Sequence, residues 1–128
     1  MIVVDTNIIS YLFLPTDFTS KAEALFAREP DWTAPLLWRS EFRNVLALYI
    51  RKKMLSLQDA LTIQDEAEDL MAEREFTVPS LSVLSLVEKS QCSAYDCEFV
   101  ALAQHFSVEL VTADRQIQKA FPDIVKQL

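Results

Sequence analysis

Short apolar runs alternate along this chain with longer amphipathic segments, and no other feature restricts the fold as strongly. The first run covers residues 1–4 and stops at Asp5. A short, continuous, β-branched run is typical of a strand that is buried on both faces, as in parallel sheets. Comparable strands are predicted at residues 32–34, 76–78 and 109–112, with an edge strand at residues 124–125.

In the segments between these runs, apolar residues recur at helical spacing. The longest helix is predicted from about residue 37 to 53, because Trp38, Phe42 and Tyr49 lie at helical spacing ahead of a basic end. Strands that alternate with helices predict an α/β fold, here a three-layer α/β/α sandwich around a parallel sheet of four or five strands. Further helices are predicted at roughly residues 8–13, 56–73, 81–91, 95–106 and 115–121, and one starts at Asp17 or Thr19.

The length of the chain predicts one domain over residues 1–128, built around one core. No apolar run is long enough to span a membrane, and the N-terminus lacks the basic start of a signal peptide. We therefore expect a cytoplasmic protein. The two cysteines, Cys92 and Cys97, fit neither a zinc site nor a disulfide framework, so we expect two buried thiols.

The charge balance and the absence of glycine exclude several classes of function. A formal net charge of −7 argues against non-specific nucleic-acid binding, which depends on excess lysine and arginine. It leaves room for a nuclease, because bound divalent cations reverse the sign of the local charge. The chain contains no glycine, which rules out the glycine-rich phosphate loop and the dinucleotide-binding fingerprint.

Two aspartates follow predicted strands directly. Asp5 ends the first strand and Asp114 comes just after the fourth. In open α/β sheets, ligands bind outside the carboxyl ends of the strands, so both residues are candidates for a site. The alternative for each is a helix cap, a position that aspartate also favours.

Two further carboxylates lie near the starts of predicted helices. Glu41 shares a line with apolar residues of the long helix, where a carboxylate is costly unless it is paired or coordinates a metal. Asp96 lies on the core-facing side of its own helix. The alternatives are a salt bridge from Glu41 to a neighbouring arginine, and a capping box formed by Ser93 and Asp96.

The four carboxylates are predicted to meet at one edge of the sheet. In a right-handed βαβ layout each helix begins at the carboxyl edge of the strands, where Asp5 and Asp114 also lie. Carboxylates held close together repel one another unless a cation lies between them. An all-oxygen site without histidine or cysteine favours Mg²⁺ or Mn²⁺ over zinc or copper.

Taken together, these motifs resemble those of a known family. The motifs of the chain are similar in residue sequence and in order to those of the PIN domain. They are Val3 to Asn7, then Glu41, then Tyr95 to Ala103, and finally Leu110 to Asp114. More narrowly, the short chain resembles the VapC-type toxins of bacterial and archaeal toxin–antitoxin pairs. The resemblance covers nearly the whole chain.

The resemblance implies a Mg²⁺- or Mn²⁺-dependent endoribonuclease that hydrolyses RNA and leaves 5′-phosphate and 3′-hydroxyl ends. It also implies a homodimer that is inhibited by a cognate antitoxin protein. Asp5, Glu41, Asp96 and Asp114 would be its acidic quartet.

Three polar residues would accompany that quartet by the same resemblance. Thr6, Asn7 and Thr112 would orient the acidic groups or the substrate. One departure from the pattern lies at Arg115 and Gln116, where many relatives carry a further acidic or polar ligand. This departure weakens the case for a second metal ion.

Basic residues near the proposed edge are candidates for contacts with the RNA phosphates. Arg39, Arg43 and Arg115 all lie close to it in the predicted layout. The alternative for each is an ordinary solvated helix surface.

Three other functions fit parts of the pattern. A DNA-directed nuclease on a related fold would need gripping segments for which 128 residues leave little room. A PIN-fold metal-binding or interaction module without activity would be expected to lose one of the acidic residues. A receiver-type phosphoacceptor domain fits the order of the motifs poorly.

Overall fold

Five parallel strands form the centre of the molecule. The computed structural model describes all 128 residues. The strands are β1 (Ile2–Val4), β2 (Trp32–Pro35), β3 (Glu75–Phe76), β4 (Leu110–Thr112) and β5 (Val125–Gln127). They form one sheet in the order β3–β2–β1–β4–β5, and each neighbouring pair is parallel. The first strand therefore lies at the centre, with crossovers leading to either side of it.

Seven helices flank this sheet. They are α1 (Thr6–Phe13), α2 (Thr19–Arg28), α3 (Leu37–Arg51), α4 (Leu57–Leu70), α5 (Ser80–Glu88), α6 (Ala94–Phe106) and α7 (Arg115–Ala120). The predicted fold class, a parallel sheet sandwiched by helices, is confirmed. No helix in the structure is both long enough and apolar enough to cross a bilayer.

The core is built around the central strand and the helix that crosses it. Val3 and Val4 of β1 are fully buried, and α6 packs across β1, β2 and β4. Trp38 and Phe42 of α3 are also fully buried. Full burial of an aromatic side chain of this size contributes about 1.5–3 kcal/mol, so these residues fix α3 against the rest of the core.

The third strand is shorter and earlier than predicted. The expected strand at residues 76–78 is replaced by Glu75–Phe76, paired in register with Ala34 and Pro35 of β2. Because β2 ends at Pro35, the residues after Phe76 have no partner strand to extend the ladder. The backbone then reaches Pro79, which precedes α5.

Two helices begin one residue after a site aspartate. The first helix starts at Thr6, two residues earlier than predicted, because the Asp5 side chain caps it by accepting from the Ile8 N–H. Asp114 caps α7 in the same way through the N–H groups of Gln116 and Ile117. The strand-to-helix turns at the carboxyl edge are therefore tight, which places both carboxylates directly at that edge.

Candidate metal centre

A cavity of about 400 Å³ opens between α3 and α6 at the carboxyl edge of the sheet. The lining of this cavity includes all four predicted carboxylates, Asp5, Glu41, Asp96 and Asp114. They come from four separate parts of the chain: the ends of β1 and β4, the second turn of α3 and the first turn of α6. Residues that are distant in sequence are thus brought to one concave surface.

Asp5 is the most deeply buried of the four, with 7% of its surface exposed. One carboxylate oxygen accepts a hydrogen bond from the Ile8 N–H at 3.1 Å, and the other accepts one from the Thr112 hydroxyl. Burial raises the pKa of Asp5 from 3.8 to about 6, although both hydrogen bonds act in the opposite direction. Asp5 therefore caps a helix and lines the cavity at the same time.

Thr112 connects the two aspartates that follow strands. Its hydroxyl donates to Asp5 and accepts from the Asp114 N–H at 2.9 Å, and the residue is fully buried. Hydrogen-bonded neighbours of this kind orient ligating groups. A single hydroxyl group thus fixes the positions of Asp5 and Asp114 relative to each other.

Glu41 is held by a hydroxyl and not by an arginine. The Thr6 hydroxyl donates to Glu41 Oε1 at 2.7 Å, and no basic side chain pairs with this carboxylate. Burial raises the pKa of Glu41, and the charge of Asp96 raises it further. The alternative of a salt bridge to a neighbouring arginine is therefore not observed.

Asp96 occupies the first turn of α6. Its N–H donates to Ser93 Oγ at 3.0 Å, so Ser93 caps the helix as the sequence suggested. The side chain is half-buried, and burial together with the charge of Asp114 raises its pKa. Ser93 thus caps the turn from which Asp96 lines the cavity.

The four carboxylates lie close enough to perturb one another. The charges of Glu41 and Asp114 raise the pKa of Asp5 after its burial, and Glu41 and Asp96 are coupled in the same sense. No lysine or arginine lines the cavity to offset this repulsion.

The chemistry of this donor set fits a hard divalent cation. All the ligating groups are oxygens, which Mg²⁺ and Mn²⁺ prefer, and the capping oxygens keep unused lone pairs. In the present side-chain conformations no three acidic, histidine or cysteine groups form a cluster that could enclose an ion. The residues are thus suited in kind and in place to a hard cation.

The three predicted arginines do not line this cavity. Arg39 makes two short contacts with Glu75, at 2.6 and 2.7 Å, and a third with Glu68 at 2.9 Å. Arg43 is exposed and approaches Glu68 at 4.0 Å. The expectation that Arg39 contacts the phosphate is not supported, because carboxylates already occupy its guanidinium group. Arg115 is exposed at the start of α7, next to Asp114.

Several lining residues were not singled out from the sequence. On α3 they are Leu37, Ser40, Asn44 and Val45, and on α6 they are Tyr95 and Phe99. Helical spacing around Glu41 and Asp96 could have found Leu37, Asn44, Val45 and Phe99, because residues three and four apart share a face. Ser40 and Tyr95 are directly adjacent to the two carboxylates in the chain and have no such spacing. Ile117 is a further lining residue that was not singled out, whereas Thr6 and Asn7, which also line the cavity, were predicted.

The predicted thiols and aromatic residues lie outside the site. Cys92 and Cys97 are free and buried, as expected. Trp38 is fully buried and donates through its indole N–H to Glu75 at 2.7 Å, so it belongs to the core. The one histidine, His105, is exposed in the last turn of α6 and does not line the cavity.

Known proteins are similar to this chain in sequence and in fold. The sequence profile described as PIN domain matches residues 2–121. The chain is 28% identical over 134 aligned positions to Ribonuclease VapC3 of Pyrobaculum aerophilum, with 97% of each chain covered.

Two solved structures have a similar fold at low sequence identity. The structure of FitAB bound to an IR36 DNA fragment has a TM-score of 0.74 at 20% identity, and the match covers 99% of this chain and 94% of that one. The structure of PAE2754 from Pyrobaculum aerophilum has a TM-score of 0.70 at 16% identity, with coverage of 98% and 89%.

Proposed function

The chain belongs to the PIN-domain family, and from that premise we propose that it is a Mg²⁺- or Mn²⁺-dependent endoribonuclease that hydrolyses phosphodiester bonds of RNA. One observation carries this proposal: four carboxylates from four separate elements line one cavity, and no basic side chain neutralises them. The relative with 28% identity is named a ribonuclease, which supports RNA as the substrate.

The side chains divide into groups that would hold the cation and groups that position them. Asp5, Glu41, Asp96 and Asp114 would provide the oxygen ligands. Thr112 holds the first and last of these through one hydroxyl. When bound, the cation would supply a water molecule of lowered pKa and positive charge next to the phosphate.

In the proposed reaction water is the nucleophile and the protein forms no covalent bond. The water oxygen bonds to phosphorus, the bond from phosphorus to the 3′ oxygen breaks, and a proton passes to that oxygen. This gives a 5′-phosphate and a 3′-hydroxyl. The cavity lining contains no histidine, cysteine or lysine that would act as a protein nucleophile or base.

Cleavage of a labelled RNA tests the proposal. The wild-type protein should cut in Mg²⁺ or Mn²⁺ and stop in EDTA, while Asp5→Asn and Asp96→Asn should be inactive under all conditions. Asp65→Asn provides the matched control, because Asp65 lies exposed on α4, away from the cavity. Full metal-dependent cleavage by Asp96→Asn would refute the site.

We also propose that the protein is the toxin of a toxin–antitoxin pair and forms a homodimer. Exposed leucines on the surface, among them Leu57, Leu61, Leu81 and Leu84, offer apolar area for such contacts. A small neighbouring gene whose product co-purifies with this chain and blocks RNA cleavage would support the pairing. Light scattering of the isolated chain tests the dimer, and a monomer mass at micromolar concentration would refute it.

A further inference from the structure

The cavity wall carries an aromatic ring that the fold itself does not use. Tyr95 lines the cavity beside Asp96 at the start of α6, and 62% of its surface is exposed. It takes part in none of the aromatic contacts within the protein. Single exposed aromatics are common on protein surfaces. This one differs because it stands at the mouth of the proposed catalytic cavity.

The opposite wall carries uncharged polar groups on α3 next to Glu41. Ser40, Glu41 and Asn44 lie on the α3 face that lines the cavity, and Ser40 and Asn44 are exposed. An asparagine amide offers two donors and an acceptor in one plane, which matches the edge of a nucleobase. A ring and an amide group thus line the same space as the carboxylates.

The charge distribution limits how RNA can be held there. The chain has a net charge of −7, and none of its lysines or arginines lines the cavity. Phosphate contacts to basic side chains, which normally supply most of the affinity, are therefore missing inside the cavity. Binding must draw on the metal ion and on contacts to the bases.

From these observations we propose that the cavity binds one unstacked nucleobase of the RNA next to the scissile phosphodiester, with its face on Tyr95 and its edge on Asn44. This inference rests on the proposed ribonuclease function and names the part of the substrate that the site recognises. Proteins recognise single-stranded RNA by stacking splayed-out bases on aromatic side chains and bonding to their edges. Tyr95 supplies affinity for any base, and Asn44 supplies preference among bases.

Substitution of the ring tests the stacking contact. With a single-stranded RNA oligonucleotide in Mg²⁺, Tyr95→Ala should lower kcat/KM by about 5- to 150-fold, the usual effect of removing one base-stacking aromatic. Tyr95→Phe should lose much less activity than Tyr95→Ala because it keeps the ring. Tyr95→Leu should lower kcat/KM as much as Tyr95→Ala does, since it keeps apolar bulk without the ring.

An abasic substrate separates stacking from a general loss of activity. An oligonucleotide that lacks the base beside the cleavage site should lower kcat/KM of the wild type about as much as Tyr95→Ala does. The same oligonucleotide should cause little further loss in Tyr95→Ala. Losses that multiply independently would overturn the proposal, because the ring and the base would then act separately.

The edge contact has its own readout. Asn44→Ala should change which base is preferred at the cleavage site, measured by sequencing the ends produced from a randomised RNA. An unchanged base preference would overturn the role of Asn44.

Three other results would overturn the inference as a whole. If wild type and Tyr95→Ala cut RNA equally well, the base site is wrong while the ribonuclease function stands. A changed molar mass of Tyr95→Ala in light scattering would assign the ring to a protein interface. Absence of any metal-dependent cleavage by the wild type would overturn the ribonuclease function together with the base site.

Discussion

Asp5 uses a single carboxylate both to cap α1 and to line the cavity. It is buried, and it accepts hydrogen bonds from Ile8 and Thr112. These bonds recover part of the free energy that burial of a charge costs, but its pKa still rises to about 6. At neutral pH the metal-free protein therefore carries an ionised group that is unfavourable for folding.

Replacement of Asp5 by asparagine should stabilise the metal-free protein while it abolishes cleavage. A folded-state pKa above the unfolded value means that stability falls as pH rises from about 4 to about 6 and stays low above that range. Asp5→Asn removes this effect, so its free energy of unfolding in EDTA at pH 7.5 should rise by about 1–3 kcal/mol. Urea denaturation measures the difference.

The pH dependence of the Asp5→Asn effect provides the control. At pH 4 wild type and Asp5→Asn should differ much less, because the native carboxyl is then protonated. A variant that is less stable than the wild type in EDTA at pH 7.5 would show that the hydrogen bonds to the carboxylate outweigh its burial.

Loss of the Thr112 hydroxyl should lower metal affinity more than it lowers the stability of the fold. Thr112→Val keeps the shape of the side chain but removes the hydroxyl that joins Asp5 to Asp114. Loss of such an orienting contact typically lowers metal affinity or activity by about 10- to 100-fold. The Mg²⁺ concentration for half-maximal cleavage should rise accordingly, while Thr112→Ser, which keeps the hydroxyl, should behave like the wild type. Equal metal dependence in the valine and serine variants would contradict this role.

At the level of elements, a charged cluster joins the start of α3 to the edge strand. Glu75 of β3 accepts from Arg39 and Trp38, and its side chain is only 8% exposed. Glu68 of α4 binds the same arginine and also accepts from Gln64. The helix that carries Glu41 is thereby tied to both β3 and α4.

This cluster predicts a pH-dependent contribution to stability. Arg39 holds the pKa of Glu75 below its usual 4.5, so the stabilisation is present above that pH and is lost as pH falls through the lowered value. Glu75→Gln should reduce the free energy of unfolding at pH 7 by about 1–3 kcal/mol. The difference from wild type should shrink below about pH 4.

Glu73 offers a matched control for this substitution. It lies two residues away, is exposed, and forms no ion pair. Glu73→Gln should therefore leave the denaturation midpoint unchanged at both pH values. A difference between wild type and Glu75→Gln that does not depend on pH would contradict the assignment to the ion pair.

The spacing of apolar residues predicted the helices and strands well, because it reflects directly which side chains are buried. The buried run at residues 2–4 and the helical spacing around Trp38 and Phe42 reflect which faces meet the core. The positions of Asp5 and Asp114 at strand ends followed from the direction of parallel strands. Their placement beside Glu41 and Asp96 needed only the right-handed crossover.

The sequence could not predict features that depend on partners distant in the chain. Arg39 was predicted to be either a phosphate contact or a solvated surface residue, and neither prediction reveals its acidic partners, which lie 29 and 36 residues away. The end of β3 depends on where its partner β2 ends, and the sequence of residues 76–78 does not itself show that pairing. Tyr95 has no periodic signal of its own, and only the cavity shows what it faces.

For the whole molecule, the metal should act as a stabilising ligand. Ions that bind only the folded state raise its stability by RT ln(1 + [L]/Kd), about 2.7 kcal/mol at one hundred times Kd. The unfolding temperature of the wild type should therefore rise with Mg²⁺ concentration and return to its starting value in EDTA. Asp5→Asn should show a much smaller rise, and equal rises in both proteins would place the binding elsewhere on this acidic chain.

The most direct test of the account is to locate the ion itself. A crystal grown with Mn²⁺ and measured at the manganese absorption edge should show an anomalous peak in the cavity, coordinated by oxygens of Asp5 and at least one of Glu41, Asp96 and Asp114. The Asp5→Asn crystal should show that peak lost or greatly weakened. A wild-type protein that cleaves RNA in Mn²⁺ and yet shows no manganese in this cavity would contradict the account.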